Sequence, residues 1–188
     1  MNREAEKLRA RYPRSKIEVW SHDQARRGLK PIVRKVWALR GKRPLAFSTQ
    51  AYEWTYAYGF VHPRSGRTQW LIMPAVNTET MQISLSNFAR AEGIGKRKQV
   101  ILVVDRAAWH TSPQLELPKG IHLLPLPTAS PEMQPSERLW PLLNEGLANR
   151  SFKDLPTLER GMSRRCRQLL NQQELIKKLT FYHWWPDY

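Results

Sequence analysis

The stretch that decides the fold is residues 101–140, which open with Ile101-Leu102-Val103-Val104-Asp105. Four apolar residues that end on a carboxylate predict a buried central strand of a mixed or parallel sheet, with an acid at its carboxyl tip. Open α/β sheets place their chemistry at such tips. Residues 121–127 predict a second strand, which should end at Pro125 or lie at a sheet edge because proline has no N–H to donate.

The same stretch closes on Ser130-Pro131-Glu132-Met133-Gln134-Pro135-Ser136-Glu137-Arg138-Leu139-Trp140. This sequence predicts a proline-rich turn that leads into a helix, with Glu137 in or near its first turn. In a helix capped at Ser136, Pro141 would remove a backbone hydrogen bond and kink the rod. Either the helix begins later, or Glu137 lies on a separate turn.

Upstream, residues 17–23 alternate apolar and polar side chains and end on Asp23, which predicts a first strand with an acid at its end. A basic turn over residues 24–31 follows, and it carries Arg26, Arg27 and Lys30. The remaining predicted elements are strands over 32–39, 54–61 and 68–73, a helix over 78–92 capped by Thr78, and a helix that begins after Asp154.

These motifs resemble the second and third acidic motifs of a mariner-like transposase of the bacterial insertion-sequence branch. The resemblance is carried by Val104-Asp105-Arg106-Ala107-Ala108-Trp109-His110, by the Leu-Leu-Pro-Leu-Pro strand, and by Ser130-Pro131-Glu132 through Trp140. It runs from about residue 17 to residue 147. Many relatives have Glu directly after the first acid, whereas this chain has Gln24.

The resemblance implies an α/β, RNase H-like fold: a mixed five-stranded sheet, three antiparallel strands and then parallel ones, flanked by helices. It also implies that Asp23, Asp105 and Glu137 are catalytic and bind two Mg²⁺ ions, for which Mn²⁺ can substitute. Carboxylates are natural ligands of Mg²⁺. Two such ions can activate a nucleophile and stabilise the leaving oxygen of a phosphodiester in one step.

Each of these acids also has a simpler interpretation. Asp23 could be a turn residue paired with a nearby arginine, Asp105 a helix cap, and Glu137 a favourable charge at a helix N-terminus. His110 could be a metal ligand, a supporting hydrogen-bond partner or a phosphate donor, and the oxygen preference of Mg²⁺ disfavours ligation.

The composition favours a nucleic-acid partner. The chain has 188 residues, and 31 Lys and Arg against 16 Asp and Glu give a net charge of +15, which suits a polyanion such as double-stranded DNA. We expect the DNA contacts from Arg26, Arg27, Lys30, Arg106, His110 and Arg138. With a single cysteine, no run of about 18 apolar residues and no signal core, we expect a cytoplasmic protein that associates with the nucleoid when it acts.

We expect an N-terminal arm over residues 1–16, a catalytic domain over 17–150 and a C-terminal helical extension over 151–188 packed on the same domain. Sixteen residues are too few for the helix-turn-helix domain that the family places first, so we expect a catalytic domain alone, with DNA reading left to a separate domain or chain. Mariner-like transposases generally act as dimers, which implies a homodimer, although no sequence feature requires one.

The predicted function is metal-dependent DNA strand cleavage and strand transfer by in-line attack on phosphodiesters. Two alternatives remain open at this point. One is a repurposed nuclease that cuts without integrating, and the other is a catalytically inert, basic nucleic-acid-binding subunit.

Overall fold

A computed structural model describes residues 1–42, 51–128 and 130–188 of the chain. Five strands and six helices follow one another in these ranges. They are α1 (Asn2–Arg11), β1 (Lys16–Gly28), β2 (Trp54–His62), β3 (Arg67–Met73), α2 (Thr78–Ala91), β4 (Lys98–Val104), α3 (Ala108–Thr111), β5 (Ile121–Pro125), α4 (Leu139–Glu145), α5 (Leu155–Leu170) and α6 (Gln173–Thr180). Two 3₁₀ turns, Pro131–Met133 and Pro135–Arg138, precede α4.

The strands form one mixed sheet in the order β3-β2-β1-β4-β5. The pairs β1–β2 and β2–β3 are antiparallel, whereas β1–β4 and β4–β5 are parallel. This confirms the predicted fold class of three antiparallel strands followed by parallel ones. Strand β5 ends at Pro125 and lies at the edge of the sheet, as the missing N–H of proline requires.

The first strand is longer than predicted, and this corrects the expected position of Asp23. Residues 24–28 are not a turn, because they continue β1 and pair with β2 from Tyr58 to Trp54. Asp23 therefore lies inside the strand and not at its end. Arg26 and Arg27 are strand residues, and only Lys30 follows the strand.

The predicted strand over residues 32–39 is wrong. The chain there is irregular, and the apolar side chains of Val33, Val36 and Leu39 are exposed. The backbone of this segment is instead hydrogen-bonded to Asn149, whose N–H donates to the Ile32 carbonyl at 2.8 Å and whose side-chain oxygen accepts from the Arg34 N–H at 2.8 Å.

Helix α2 covers one face of the sheet. Its apolar stripe, Met81, Leu85 and Phe88, packs against Trp20 and Phe60 in one buried cluster. The N-cap is Asn77 and not the predicted Thr78: the Asn77 side chain accepts a hydrogen bond from the Thr80 N–H, and the Thr80 hydroxyl completes a capping box.

The opposite face of the sheet is covered by α4, α5 and α6, whose buried side chains share a cluster with Ala57 and Val61 of β2. Helix α4 begins at Leu139, so Pro141 lies in its first turn, where no intrahelical N–H is lost. Glu137 lies on the preceding 3₁₀ turn. As predicted, Asp154 caps α5 by accepting a hydrogen bond from the Thr157 N–H.

Helix α1 and the C-terminal residues close the remaining part of this face. Ala5 and Leu8 of α1 pack with Val19, Ile101 and Trp185. Among the described residues, no helix is long and apolar enough to cross a membrane.

We predict that Gly59→Val destabilises the protein by about 1–3 kcal/mol, because added volume in a packed core forces strain. A Cβ at this position would lie 3.0 Å from the Trp140 ring and 3.1 Å from a Leu139 methyl group. Urea unfolding measures the loss. Gly95→Val is the control, since a Cβ there meets nothing within 4 Å, and an equal loss in both variants would contradict the prediction.

Candidate active site

The register of the parallel pair β1–β4 brings Asp23 and Asp105 together. Ser21 and Val103 are paired across the two strands, and Asp23 and Asp105 each follow two residues later. Because side chains alternate along a strand, Asp23 lies on the same face of β1 as Ser21. The two acids therefore lie close to each other at the carboxyl end of β4, next to the middle of β1.

The turn that carries Glu137 is hydrogen-bonded to β1. The Gln134 side-chain amide donates to the His22 carbonyl at 2.8 Å. The Ser21 and Ser136 hydroxyl groups lie 2.8 Å apart, and the Ser136 N–H donates to the Ser21 hydroxyl at 3.3 Å. Both serines are fully buried. These bonds fix the position of the turn, and so of Glu137, relative to β1, the strand that carries Asp23.

Asp23 is buried under the Trp140 ring. The indole Nε1–H donates to Asp23 Oδ2 at 2.7 Å, and only 7% of Asp23 is exposed. Trp140 packs edge-on against Trp70 at 6.1 Å between ring centroids. The Arg27 guanidinium lies 5.7 Å from the centre of the Trp140 ring. One carboxylate oxygen of Asp23 thus has a neutral donor.

The three acids differ in proton affinity. Burial raises the pKa of Asp23 to about 7, and the charges of Glu137 and Asp105 act in the same direction. Burial and the Asp105 charge also raise the pKa of Glu137, against a hydrogen bond with Asp23. The pKa of Asp105 is lowered, chiefly by its hydrogen bond with His110. Asp105 is therefore the acid that stays ionised most readily.

His110 is hydrogen-bonded to the Asp105 carboxylate. Its Nδ1 lies 2.6 Å from Asp105 Oδ1, and the Ala107 N–H donates to the same oxygen at 3.1 Å. The His110 side chain is fully buried, whereas 48% of the Asp105 side chain is exposed. The Nε2 of His110 is also occupied, by Gln24 at 2.8 Å. This burial argues against the predicted DNA contact of His110 and favours the supporting role.

No lysine or arginine within residues 1–42, 51–128 and 130–188 forms a salt bridge with Asp23, Asp105 or Glu137. In the same ranges, no group of three His, Cys, Asp or Glu side chains is already arranged to hold an ion. The donor set still suits a hard divalent cation, because three neighbouring carboxylates leave negative charge uncompensated. Metal binding would require their side chains to move together.

The predicted cationic residues fall into three places. Arg26, Arg27 and Lys30 line a cavity of about 260 Å³, together with Arg150. Arg106 lines a second cavity of about 310 Å³, together with Asp105 and Glu137. Arg138 is exposed and donates to the Tyr182 hydroxyl at 3.1 Å. The DNA contacts of these residues stay predictions.

Sequence reasoning missed the residues that hold the acids in place: Ser21, Trp140, Ser136 and Gln24. Ser21 offered one signal, because a small polar residue at an inward position of an apolar strand requires a partner when it is buried. Its partner Ser136 is 115 residues away, and no local pattern identifies it.

The mixed sheet and the three neighbouring acids together define an RNase H-like catalytic domain of the DDE class. Residues 18–159 match the family model described as DDE superfamily endonuclease. The chain belongs to this family.

A relative from Sinorhizobium fredii (strain NBRC 101917 / NGR234), the protein y4pE/y4sA, is 33% identical over 132 residues, which cover 70% of this chain and 96% of the relative. Among solved structures, the mariner Mos1 paired-end complex with Mg matches with a TM-score of 0.58 at 19% identity and covers 94% of this chain. A simian T-cell lymphotropic virus intasome matches with a TM-score of 0.52 at 14% identity, over 81% of this chain and 48% of its own. The chain spans about 60% of the length of the Mos1 protein it matches. These matches confirm the resemblance at the level of fold.

We predict that Asp23→Asn stabilises the metal-free protein above neutral pH. A carboxyl group whose pKa is raised from 3.8 to about 7 by folding contributes stability that is complete below about pH 4. This contribution is lost as the pH rises through about 7. The amide keeps an oxygen for Trp140 and has no charge to bury, so the gain at pH 8 should be on the order of 2–4 kcal/mol.

Urea unfolding at pH 5 and pH 8 in a chelator measures this effect. The control is Asp187→Asn at an exposed position, which should leave the difference between the two pH values unchanged. An Asp23→Asn variant that is no more stable than the wild type at pH 8 would refute the prediction.

Proposed function

We propose that this domain cleaves DNA strands and joins the freed 3′-hydroxyl to target DNA, with two divalent ions held by Asp23, Asp105 and Glu137. One observation supports this most strongly: two adjacent parallel strands and a turn hydrogen-bonded to β1 present three carboxyl groups, and no lysine or arginine among the described residues forms a salt bridge with them. A cluster of this kind is costly to assemble without a cation to bind.

In this proposal Asp105 contacts both ions, Asp23 helps to bind both, and Glu137 binds one. Bound Mg²⁺ or Mn²⁺ supplies Lewis-acid activation of the attacking hydroxyl and stabilises the leaving oxygen. Asp105 is suited to the shared position because 48% of its side chain is exposed and its lowered pKa keeps it ionised. Asp23 releases its proton as metal binds, since ligands must be deprotonated.

The substrate in this proposal is double-stranded DNA. The cavity lined by Arg26, Arg27 and Lys30 lies along the same strand as Asp23, and Arg106 borders the cavity that contains two of the acids. Burial lowers the pKa of Arg27, against the charges of Asp23 and Glu137. Arg27 thus lies between the acids and the basic cavity, where a DNA phosphate would be drawn by charge.

The solved relatives give this proposal context. The Mos1 structures include a complex with a transposon end, a strand transfer complex, and complexes with Mg and with Mn. We extend to this chain the use of these two metals and the binding of paired transposon ends. We also propose that the chain acts as a homodimer and that a separate domain or chain reads the DNA.

We predict that Asp105→Asn abolishes DNA nicking, because the variant loses the carboxylate shared by both ions. The loss should exceed about 10³-fold, in line with removal of a principal charge-stabilising group. Nicking of supercoiled DNA with Mg²⁺ or Mn²⁺ measures it, and oligonucleotide joining measures strand transfer. The control Asp154→Asn changes an acid outside the group of three, which caps α5, and asparagine also caps well.

Equal nicking by wild type and Asp105→Asn would refute the mechanism. Nicking without joining would identify a nuclease that does not integrate. Binding of DNA without metal binding or nicking would identify an inert subunit.

We predict that Arg26→Ala with Lys30→Ala weakens DNA binding and lowers the slope of log K against log salt by about 1 to 2. Each lost phosphate contact removes roughly 0.9 from that slope. The control is Lys96→Ala with Arg97→Ala, which removes the same charge beside the start of β1, at the far end from the acids. Fluorescence anisotropy from 50 to 200 mM salt compares the two, and identical slopes would contradict the assignment of this cavity to DNA.

A further inference from the structure

The Gln24 side chain connects the two strands that carry the first two acids. Its Nε2 lies 2.7 Å from His22 Nε2 and 2.8 Å from His110 Nε2. Its Oε1 accepts a hydrogen bond from Trp109 Nε1 at 3.2 Å. Because Gln24 follows Asp23 along β1, its side chain lies on the opposite face of the strand.

The directions of these hydrogen bonds follow from two groups, one that can only accept and one that can only donate. The Gly59 carbonyl can only accept, so His22 must donate to it from Nδ1 at 2.9 Å, which leaves His22 Nε2 as an acceptor. The Trp109 indole can only donate, so Gln24 must present its oxygen there. Both amide hydrogens of Gln24 therefore point at the two imidazole Nε2 atoms.

The direction of these hydrogen bonds also determines which group donates to Asp105. Since Gln24 donates to His110 Nε2, the proton of the neutral His110 ring must be on Nδ1, and it is donated to Asp105 Oδ1 at 2.6 Å. The Ala107 N–H occupies the same oxygen. Oδ1 is thus held by two donors, and Oδ2 is the oxygen left to contact a cation.

Water cannot easily replace these bonds, because the ring of His22 and the ring of His110 are both fully buried. The His22 ring is neutral, because its Nδ1 donates to the Gly59 carbonyl and its Nε2 accepts from Gln24. A continuous series of hydrogen bonds therefore runs from the Gly59 carbonyl through His22, Gln24 and His110 to Asp105. Both the nitrogen and the oxygen of the Gln24 amide form hydrogen bonds.

We propose that Gln24 is a positioning residue, which fixes the Nδ1–H tautomer of His110 and thereby the orientation of the Asp105 carboxylate for metal binding. This inference rests on the proposed function of the three acids. It requires a carboxamide at this position, since a glutamate carboxylate would offer two acceptors and no donor to the two imidazoles.

The tautomer is measured directly by long-range ¹H–¹⁵N NMR of ¹⁵N-histidine-labelled protein without metal. We expect both His22 and His110 to be neutral and protonated on Nδ1. A His110 ring protonated on Nε2 would overturn the proposal, because Gln24 could then not donate to it.

The route through His110 is tested by a double-mutant cycle on Mn²⁺ affinity, measured by calorimetry. His110→Asn keeps an N–H near the position of Nδ1, so it should still hold Asp105, but it cannot reach Gln24. Gln24→Leu should weaken Mn²⁺ binding about 10-fold in the wild-type background, as loss of an outer partner of a ligand does. In the His110→Asn background the further loss should stay under about 2-fold. Equal losses in both backgrounds would overturn the proposal.

A matched control separates positioning from general loss of structure. Gln99 on β4 is also a buried glutamine bonded to a histidine, since it accepts from His122 Nε2 at 2.8 Å. Gln99→Leu should leave Mn²⁺ affinity unchanged. If Gln24→Leu fails to fold, Trp109→Phe removes only the N–H that orients the Gln24 amide, and it should weaken Mn²⁺ binding in the same direction.

Two outcomes distinguish a failure of the proposed function from a failure of the role of Gln24. A wild-type chain that binds no Mn²⁺ contradicts the proposed function. Mn²⁺ binding that Gln24→Leu and Trp109→Phe both leave unchanged contradicts only the role of Gln24.

Discussion

Repulsion among three neighbouring carboxyl groups is the constraint on which this structure depends. Burial raises the pKa of Asp23 to about 7 and also raises that of Glu137, so these two groups resist ionisation in the folded protein. A fold that gathers such groups must hold them with interactions that do not cancel their charge. The chain does so with hydrogen bonds from neutral donors, the Trp140 indole for Asp23 and the His110 imidazole for Asp105. The turn that carries Glu137 is held by the hydrogen bond between Ser21 and Ser136.

This use of neutral donors has a functional consequence in a protein with a net charge of +15. Cations are abundant in the chain, yet within the described ranges they form their buried salt bridges elsewhere, around Glu18 at the other end of β1. The charge of the three acids thus remains available for metal ions. The arginines and lysines around the site remain available for phosphate, which is the partner that a basic surface attracts.

Much of the fold followed from local pattern. The apolar run before Asp105 predicted β4, the proline in residues 121–127 predicted an edge strand, and Pro141 predicted that Glu137 lies outside the helix. What failed depended on strand pairing between distant residues. Residues 24–28 resemble a basic turn until β2 pairs with them. Residues 32–39 resemble a strand, but Ile32 and Arg34 are hydrogen-bonded to the distant Asn149.

In the site, too, the features that lie in local motifs were predicted and those that depend on distant residues were not. The three acids were predicted because each lies in a motif of its own, and the structure brings them together. Their supports were not predicted, because each bond joins residues distant in sequence: Gln24 to His110 across 86 positions, and Asp23 to Trp140 across 117. Gln24 looked like a minor departure from the family, and its contacts instead connect two of the acidic motifs.

Crystals soaked in Mn²⁺ test the central claim most directly, because anomalous scattering locates the metal independently of any model of the side chains. We predict two Mn²⁺ ions between Asp23, Asp105 and Glu137, with Asp105 Oδ2 as a ligand and Asp105 Oδ1 still bonded to His110. Metal bound elsewhere, or three carboxylates that stay apart at saturating Mn²⁺, would contradict it.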